Sequence, residues 1–110
     1  GANDATLVLG ADPGATMPQP AIEHLRRTPT IVLDPKVTYT SRLARVHITT
    51  AATGISAPGT VYRMDEIPLP LRPILRSPYP TDEEVVRRIR QTIQQRHGGF
   101  LPTAAHLQLA

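Results

Sequence analysis

Hydrophobic residues in this chain come in short continuous runs, and the first two are closed by the same kind of stop. Ala5-Thr6-Leu7-Val8-Leu9-Gly10-Ala11 ends at Asp12-Pro13-Gly14, and Thr30-Ile31-Val32-Leu33 ends at Asp34-Pro35. Such a run, bounded by turn residues, is the pattern of a parallel strand, and the first is expected to be buried on both faces. Between the runs Ala21, Ile22 and Leu25 recur at helical spacing, with Pro18 and Pro20 where only a helix start tolerates them. Strand, helix and strand make a βαβ unit. Thr38 to Leu43 fits a turn or a single helical turn. Arg45-Val46-His47-Ile48-Thr49-Thr50 then alternates outward polar and inward apolar residues as a third strand would. In one parallel sheet, all three strands would aim their C-terminal ends at the same rim.

The second half is patterned differently. Ala51 to Pro58 reads as loop, and Gly59 to Asp65 and Ile67 to Leu71 read as irregular β, because the prolines permit only an edge or extended strand. Thr81-Asp82-Glu83-Glu84 has the form of a capping box, in which the Thr81 hydroxyl and the Glu84 carboxylate each satisfy the other's main-chain N–H. The helix it opens carries Val85, Val86, Ile89 and Ile93 on one stripe and Arg87, Arg88, Arg90 and Gln91 mostly on the other, until Gly98-Gly99 stops it. From Phe100 to Ala110 the tail is apolar for an end segment and is expected to dock on a neighbour or fray. The expected architecture is a small Rossmann-like α/β three-layer unit. It combines a short parallel sheet, an irregular Pro-rich β segment and a C-terminal amphipathic helix. Its expected divisions are a nucleotide-binding-like βαβ unit over 1–53, the extended segment over 54–80, the helix over 81–97 and the tail over 98–110.

Composition narrows the function. With 110 residues, 4% aromatics and no Trp, the core has to come from Val, Ile, Leu and Ala, so packing against a partner would help. The net charge of +3 is modest and the basic residues form no tract with interleaved aromatics, which argues against nucleic acid. Cysteine is missing, which excludes disulfides, thiolate metal sites, an iron–sulfur cluster and a cysteine nucleophile within these residues. No apolar run approaches the roughly 20 residues of a membrane span and no signal pattern opens the chain, so a cytoplasmic protein with no membrane partner is expected. His24, His47, His97 and His106 lack metal-ligand spacing, Asp82 to Glu84 suit a helix N-terminus, and Ser41 and Ser56 lack a nucleophile-elbow pattern. No catalytic and no metal-ligating residue is expected.

The chemistry that remains lies at the two Asp-Pro stops, since ligands of open α/β sheets sit outside the carboxyl ends of the strands. Gly10-Ala11-Asp12-Pro13-Gly14 would let the backbone approach a phosphate closely, and Asp34 stands where a nucleotide-binding sheet often places a carboxylate. Each also has a plain reading, as a common turn sequence and a simple strand stop.

Three segments taken together go further: Gly10 to Ala15, Val32 to Thr40, and Gly54 to Asp65, of which Gly59-Thr60-Val61-Tyr62-Arg63-Met64-Asp65 is the most specific. In order and spacing they resemble the C-terminal part of the formylmethanofuran dehydrogenase B subunit, of the molybdopterin oxidoreductase superfamily. The corresponding loops of that superfamily grip the guanine dinucleotide ends of a molybdenum or tungsten cofactor. The resemblance implies that Gly10, Asp12 and Pro13 shape a loop against phosphate and ribose and that Asp34 faces the guanosine. By the same likeness Thr38 and Thr40 are secondary contacts, Gly59 and Thr60 form a backbone turn near the pterin, and Arg63 follows on the extended segment. Ser56-Ala57-Pro58 stands where the family has an acidic residue, and the family's cluster cysteines and metal-ligating residue belong to an earlier segment with no counterpart here.

The function implied is that of a B-subunit-like scaffold or fragment of a formylmethanofuran dehydrogenase or formyltransferase/hydrolase complex in one-carbon metabolism. Its partners would be the other subunits or the remainder of the same subunit. The alternative is the guanine-dinucleotide-binding part of an active molybdenum or tungsten pterin oxidoreductase, and a free-standing nucleotide-binding module is a third reading. Molybdopterin guanine dinucleotide is the cofactor implied, with its retention here left open.

Overall fold

A computed structural model describes residues 3–97. Its first half is a three-stranded parallel sheet of β1 (Thr6–Leu9), β2 (Thr30–Leu33) and β3 (Val46–Ile48), in the order β1-β2-β3. Thr6 to Leu9 stand beside Thr30 to Leu33, and Ile31 to Leu33 stand beside Val46 to Ile48. Between β1 and β2 lie α1 (Pro13–Thr16) and α2 (Gln19–Arg27), and between β2 and β3 lies α3 (Tyr39–Leu43). This is the small α/β unit expected, with its strand ends on one rim. The Asp-Pro-Gly stop does more than turn the chain: Pro13 begins a helical turn of its own, where its missing N–H costs nothing.

The register divides the sheet into two unequal faces. Val8, Thr30, Val32 and His47 share one face, toward the connecting helices, as same-handed crossovers between parallel strands require. The Thr30 hydroxyl ties the end of α2 to this face by donating to the carbonyls of Leu25 (3.3 Å) and Thr28 (3.0 Å). Leu7, Leu9, Ile31, Leu33, Val46 and Ile48 share the other face. On that face Leu33 is fully buried, whereas Leu7, Leu9 and Val46 are nearly half exposed. Burial of β1 on both faces is therefore not found, and Val46 does not point into a core. On the helix side Val8, Thr30 and Val32 are buried, and the C-terminal helix α4 (Asp82–Arg96) lies beside Ile48 on the other face.

The Pro-rich segment is more regular than expected. β4 (Gly59–Tyr62) and β5 (Pro68–Leu71) form an antiparallel hairpin, with Gly59 opposite Leu71 and Tyr62 opposite Pro68. Its three-residue loop is closed by Arg63 N–H to the Ile67 carbonyl (3.0 Å) and Glu66 N–H to the Arg63 carbonyl (2.8 Å), with Glu66 at φ 65°. This is the geometry of a type I turn with a following left-handed residue. Since Arg63 and Ile67 are a bonded pair, alternation makes Tyr62/Pro68 and Thr60/Pro70 the unbonded ones. Both prolines thus lack an N–H only on the outer edge, and the ladder survives.

Loop 51–58 joins these parts. Ala51 N–H donates to the Pro80 carbonyl (2.8 Å), Ala52 N–H to Ser56 Oγ (3.0 Å), and the amides of Ile74 and Leu75 to the Ile55 carbonyl (2.9 Å each). The capping box forms as expected, with Glu84 N–H on Thr81 Oγ1 (3.2 Å) and Thr81 N–H on Glu84 Oε2 (2.9 Å). Along the apolar stripe of α4 Val85 is buried, while Val86 and Ile93 stay partly exposed. The expected stop at Gly98-Gly99 and the tail over 98–110 lie outside the described residues.

Candidate functional site

The C-terminal rim of β1 and β2 brings the two Asp-Pro stops side by side, because Gly10 N–H donates to the Leu33 carbonyl (2.9 Å) just before Asp34. Gly10 turns the chain at φ +53°, and nothing lies within 4 Å of where a Cβ would be, so the loop at Gly10 and Ala11 is open to solvent. The left-handed backbone is what favours glycine there.

Asp12 points away from that opening. Its carboxylate accepts from Thr40 Oγ1 (2.6 Å), Thr40 N–H (2.8 Å) and Tyr39 N–H (3.2 Å), and so caps α3 from a distant loop. These bonds, the Thr40 hydroxyl first, together with the nearby Lys36 charge, hold the carboxyl below its ordinary value of 3.8 against a smaller opposing effect of burial. Thr40 is fully buried and also receives Gly14 N–H on Oγ1 (2.8 Å). Gly14 is small for a reason: a Cβ would stand 3.0 Å from the Tyr39 ring and 3.3 Å from the Thr40 backbone. Asp12, Gly14 and Thr40 form one joint that locks α1 to α3.

Asp34 is likewise turned inward. It is buried, and its Oδ1 accepts Lys36 N–H (2.9 Å), which shapes the turn after β2. His47 Nε2 donates to the Asp34 carbonyl (3.1 Å), and the Asp34 N–H donates to the Ile48 carbonyl (3.3 Å). Thr38 is also buried and caps α3 reciprocally with Ser41, each side chain accepting the other's N–H at 3.1 and 2.8 Å. Pro13 opens α1. What the rim presents to solvent is the Gly10–Ala11 backbone, Pro35, Lys36, Val37 and Tyr39.

Gly59 and Thr60 lie elsewhere, and in β4, so the expected backbone turn at these residues is not found. Gly59 lines a recess of about 470 Å³ with Thr53, Ala57 and the first turn of α4, and a Cβ there would collide with Thr53. Arg63 makes a bidentate ion pair with Asp65 (2.8 and 2.6 Å) at the hairpin turn, which lowers the Asp65 carboxyl. Among the described residues no three His, Cys, Asp or Glu side chains group as a metal site. None of the helices there is long and apolar enough to cross a membrane.

Sequence reasoning missed Lys36, Tyr39 and the pivotal part of Thr40. Only the Thr38-x-x-Ser41 spacing was readable, as a helix cap.

No protein-family model matches the chain. Over 97 residues it is 34% identical to the B subunit of the tungsten-containing formylmethanofuran dehydrogenase 2 of Methanocaldococcus jannaschii. The protein of the same name from Methanococcus maripaludis is 30% identical over the same length. In both cases the match takes in 86% of this chain and 22% of the relative, so the chain spans about a fifth of the length of these proteins. The likeness expected from its three segments is therefore found: the chain is similar to the C-terminal part of the formylmethanofuran dehydrogenase B subunit.

Proposed function

We propose that this chain is a structural component of a formylmethanofuran dehydrogenase or formyltransferase/hydrolase type complex, a scaffold in formyl-group metabolism. One observation carries this reading. Asp12 and Asp34, the two carboxylates that could face a ligand at the rim, are both engaged within the fold, one capping α3 and the other closing the turn to Lys36. A rim whose acidic groups hold its own loops together serves to keep a shape. The lack of cysteine among these residues agrees with a part that leaves redox chemistry to others. The other subunits, or the remainder of the same subunit, are its partners. Native purification followed by size-exclusion chromatography and mass spectrometry tests this. Co-elution with larger chains is the expected result, and a monomer free of other chains would refute it.

A second reading is favoured by the open part of the same rim. Gly10 and Ala11 expose main chain that no side chain shields, and Lys36 adds a cation beside it. These residues fit the phosphates of a guanine dinucleotide, as in a molybdenum or tungsten pterin cofactor, better than they fit its base, since the Asp34 carboxylate is turned to Lys36 N–H. Gly10, Ala11 and Lys36 would hold the phosphates, with Asp12, Pro13 and Thr38 fixing the loops behind them. Calorimetric titration with guanine nucleotides separates the readings. Binding lost in Lys36→Ala supports this second one, and no heat with the parent chain dismisses it.

A further inference from the structure

Sheets made only of parallel strands are normally covered by helices on both faces. Here the connecting helices lie on one face, while Leu7, Leu9 and Val46 on the other stay nearly half exposed. Past Ile48 that face continues into a groove of about 510 Å³ along α4, with an apolar lining from Ile48, Val85, Ile89 and Ile93. Arg88 and Arg96 stand on its helical wall, both exposed. They share one ridge of the helix, with Thr92 between them, and lie about 12 Å apart along the axis at the usual rise. Neither has a carboxylate partner among the described residues, whose ion pairs are Arg27 with Glu23, Arg63 with Asp65 and Arg87 with Glu83.

We infer that this groove seats an amphipathic helix with an acidic flank, supplied from outside this chain. A helix is what the uncovered face of a parallel sheet ordinarily receives, and an apolar stripe is what the lining requires. The two arginines set the flank. A single carboxylate, as on a fatty acid, meets one of them, whereas cations about 12 Å apart on one ridge call for carboxylates two turns apart on the partner. Nothing in this chain supplies that pattern. Residues 98–110 contain no Asp or Glu. α2 has the single acid Glu23, α1 and α3 have none, and those of α4 are confined to its first turn. Charge thus rules out both residues 98–110 and a second copy as the occupant. Exposed ion pairs contribute little energy, so the apolar stripe supplies the affinity and the arginines select the partner and its register. Such a partner deepens the scaffold reading, on which its source rests, by giving it a chemistry.

Calorimetric titration of the full 110-residue chain with two synthetic helical peptides gives the test. Both peptides carry one leucine stripe over about five turns; glutamates two turns apart flank it in the first, and lysines at the same places in the second. The glutamate peptide is expected to bind about tenfold more tightly, with a preference that shrinks as salt rises. In the double variant Arg88→Glu, Arg96→Glu the preference should reverse in favour of the lysine peptide, with circular dichroism matching that of the parent. Arg90→Glu, at a position that does not line the groove, should leave the preference as it is. Should the double variant fail to fold, Arg88→Gln and Arg96→Gln decide singly, each expected to cut the glutamate peptide's advantage about threefold. Equal affinity for the two peptides overturns the inference, as does binding of neither up to about 1 mM. A preference unmoved in the folded arginine variants does the same, and so does displacement of the glutamate peptide by dodecanoate or by anionic vesicles, which would assign the groove to a lipid. Partners that co-purify while neither peptide binds would leave the scaffold role standing and remove only the acidic helix.

Discussion

The parallel sheet and the hairpin use similar residues to different ends. In the sheet, β2 lies between two neighbours, with Val32 toward the connecting helices and Leu33 on the opposite face, and both are fully buried. The hairpin also carries Val, Leu, Ile and Tyr, yet Val61, Tyr62, Ile67 and Leu69 all remain exposed. Composition cannot account for this contrast, whereas topology can. A central parallel strand acquires two neighbours and, on one face, a helical cover through its crossovers, and a hairpin folded on itself acquires one neighbour and no crossover. The central strand thus carries the buried apolar residues of its sheet, and the hairpin leaves its own bare.

The strongest way to break this contrast is to remove equal volume from each side. Leu33→Ala leaves a cavity beneath a fully covered strand and is expected to cost about 2–5 kcal/mol, in urea unfolding followed by far-ultraviolet circular dichroism. Leu69→Ala, on the exposed hairpin, should cost less than about 1 kcal/mol by the same measurement. Equal losses would show that the hairpin packs as tightly as the sheet, and the contrast would fail.

How far this contrast is visible in the sequence depends on which physical signal each residue carries. The βαβ unit was readable because apolar runs and turn residues act locally, and the Thr81–Glu84 cap because both partners lie within one helical turn. The open face of β1 was not. Continuous apolar character in Leu7 to Leu9 says that a strand can be buried on both sides, and only the placement of the helices decides whether it is. Irregular β was expected from Pro68 and Pro70, although their spacing of two residues held the opposite message: both prolines fall on the same outward edge. At the rim, Asp12 and Thr40 are 28 residues apart, and no local rule joins a carboxylate to a helix so far along the chain.

On the side of the parallel sheet, the joint of Asp12, Gly14 and Thr40 should be the next most sensitive feature. Thr40→Val keeps the shape but removes the donor to Asp12 and the acceptor of Gly14 N–H, leaving a buried N–H unpaired at an expected cost of about 1–3 kcal/mol. Thr40→Ser should recover most of it, measured as a shift in the urea midpoint. Full stability in Thr40→Val would mean that the rim is held by packing alone.

The same joint gives a pH signature of its own, separate from that of Asp65 at the hairpin turn, whose carboxyl Arg63 lowers. Asp12 has its carboxyl lowered in the fold, chiefly by the Thr40 hydroxyl, so its contribution is complete above the ordinary value of 3.8 and is lost as pH falls through the lower folded value. Carboxyl resonances followed by NMR should show Asp12 titrating below that ordinary value, and moving back toward it in Thr40→Val. In Asp12→Asn the acid limb of stability should become shallower. An unchanged limb would remove Asp12 from the account.

The smallest expected effect probes whether the hairpin is coupled to the sheet at all. Glu66 sits at φ 65°, where a side chain costs about 1–2 kcal/mol that glycine avoids. Glu66→Gly also loosens the unfolded chain, which offsets part of the gain, so a net stabilisation of under about 1 kcal/mol is expected. If the hairpin opens independently, this gain appears in the exchange of the Val61 and Leu69 amides and leaves the global unfolding midpoint in place. A rise in the global midpoint by the same amount would mean that hairpin and sheet unfold as one cooperative body, and that exposed apolar side chains alone do not mark an autonomous segment.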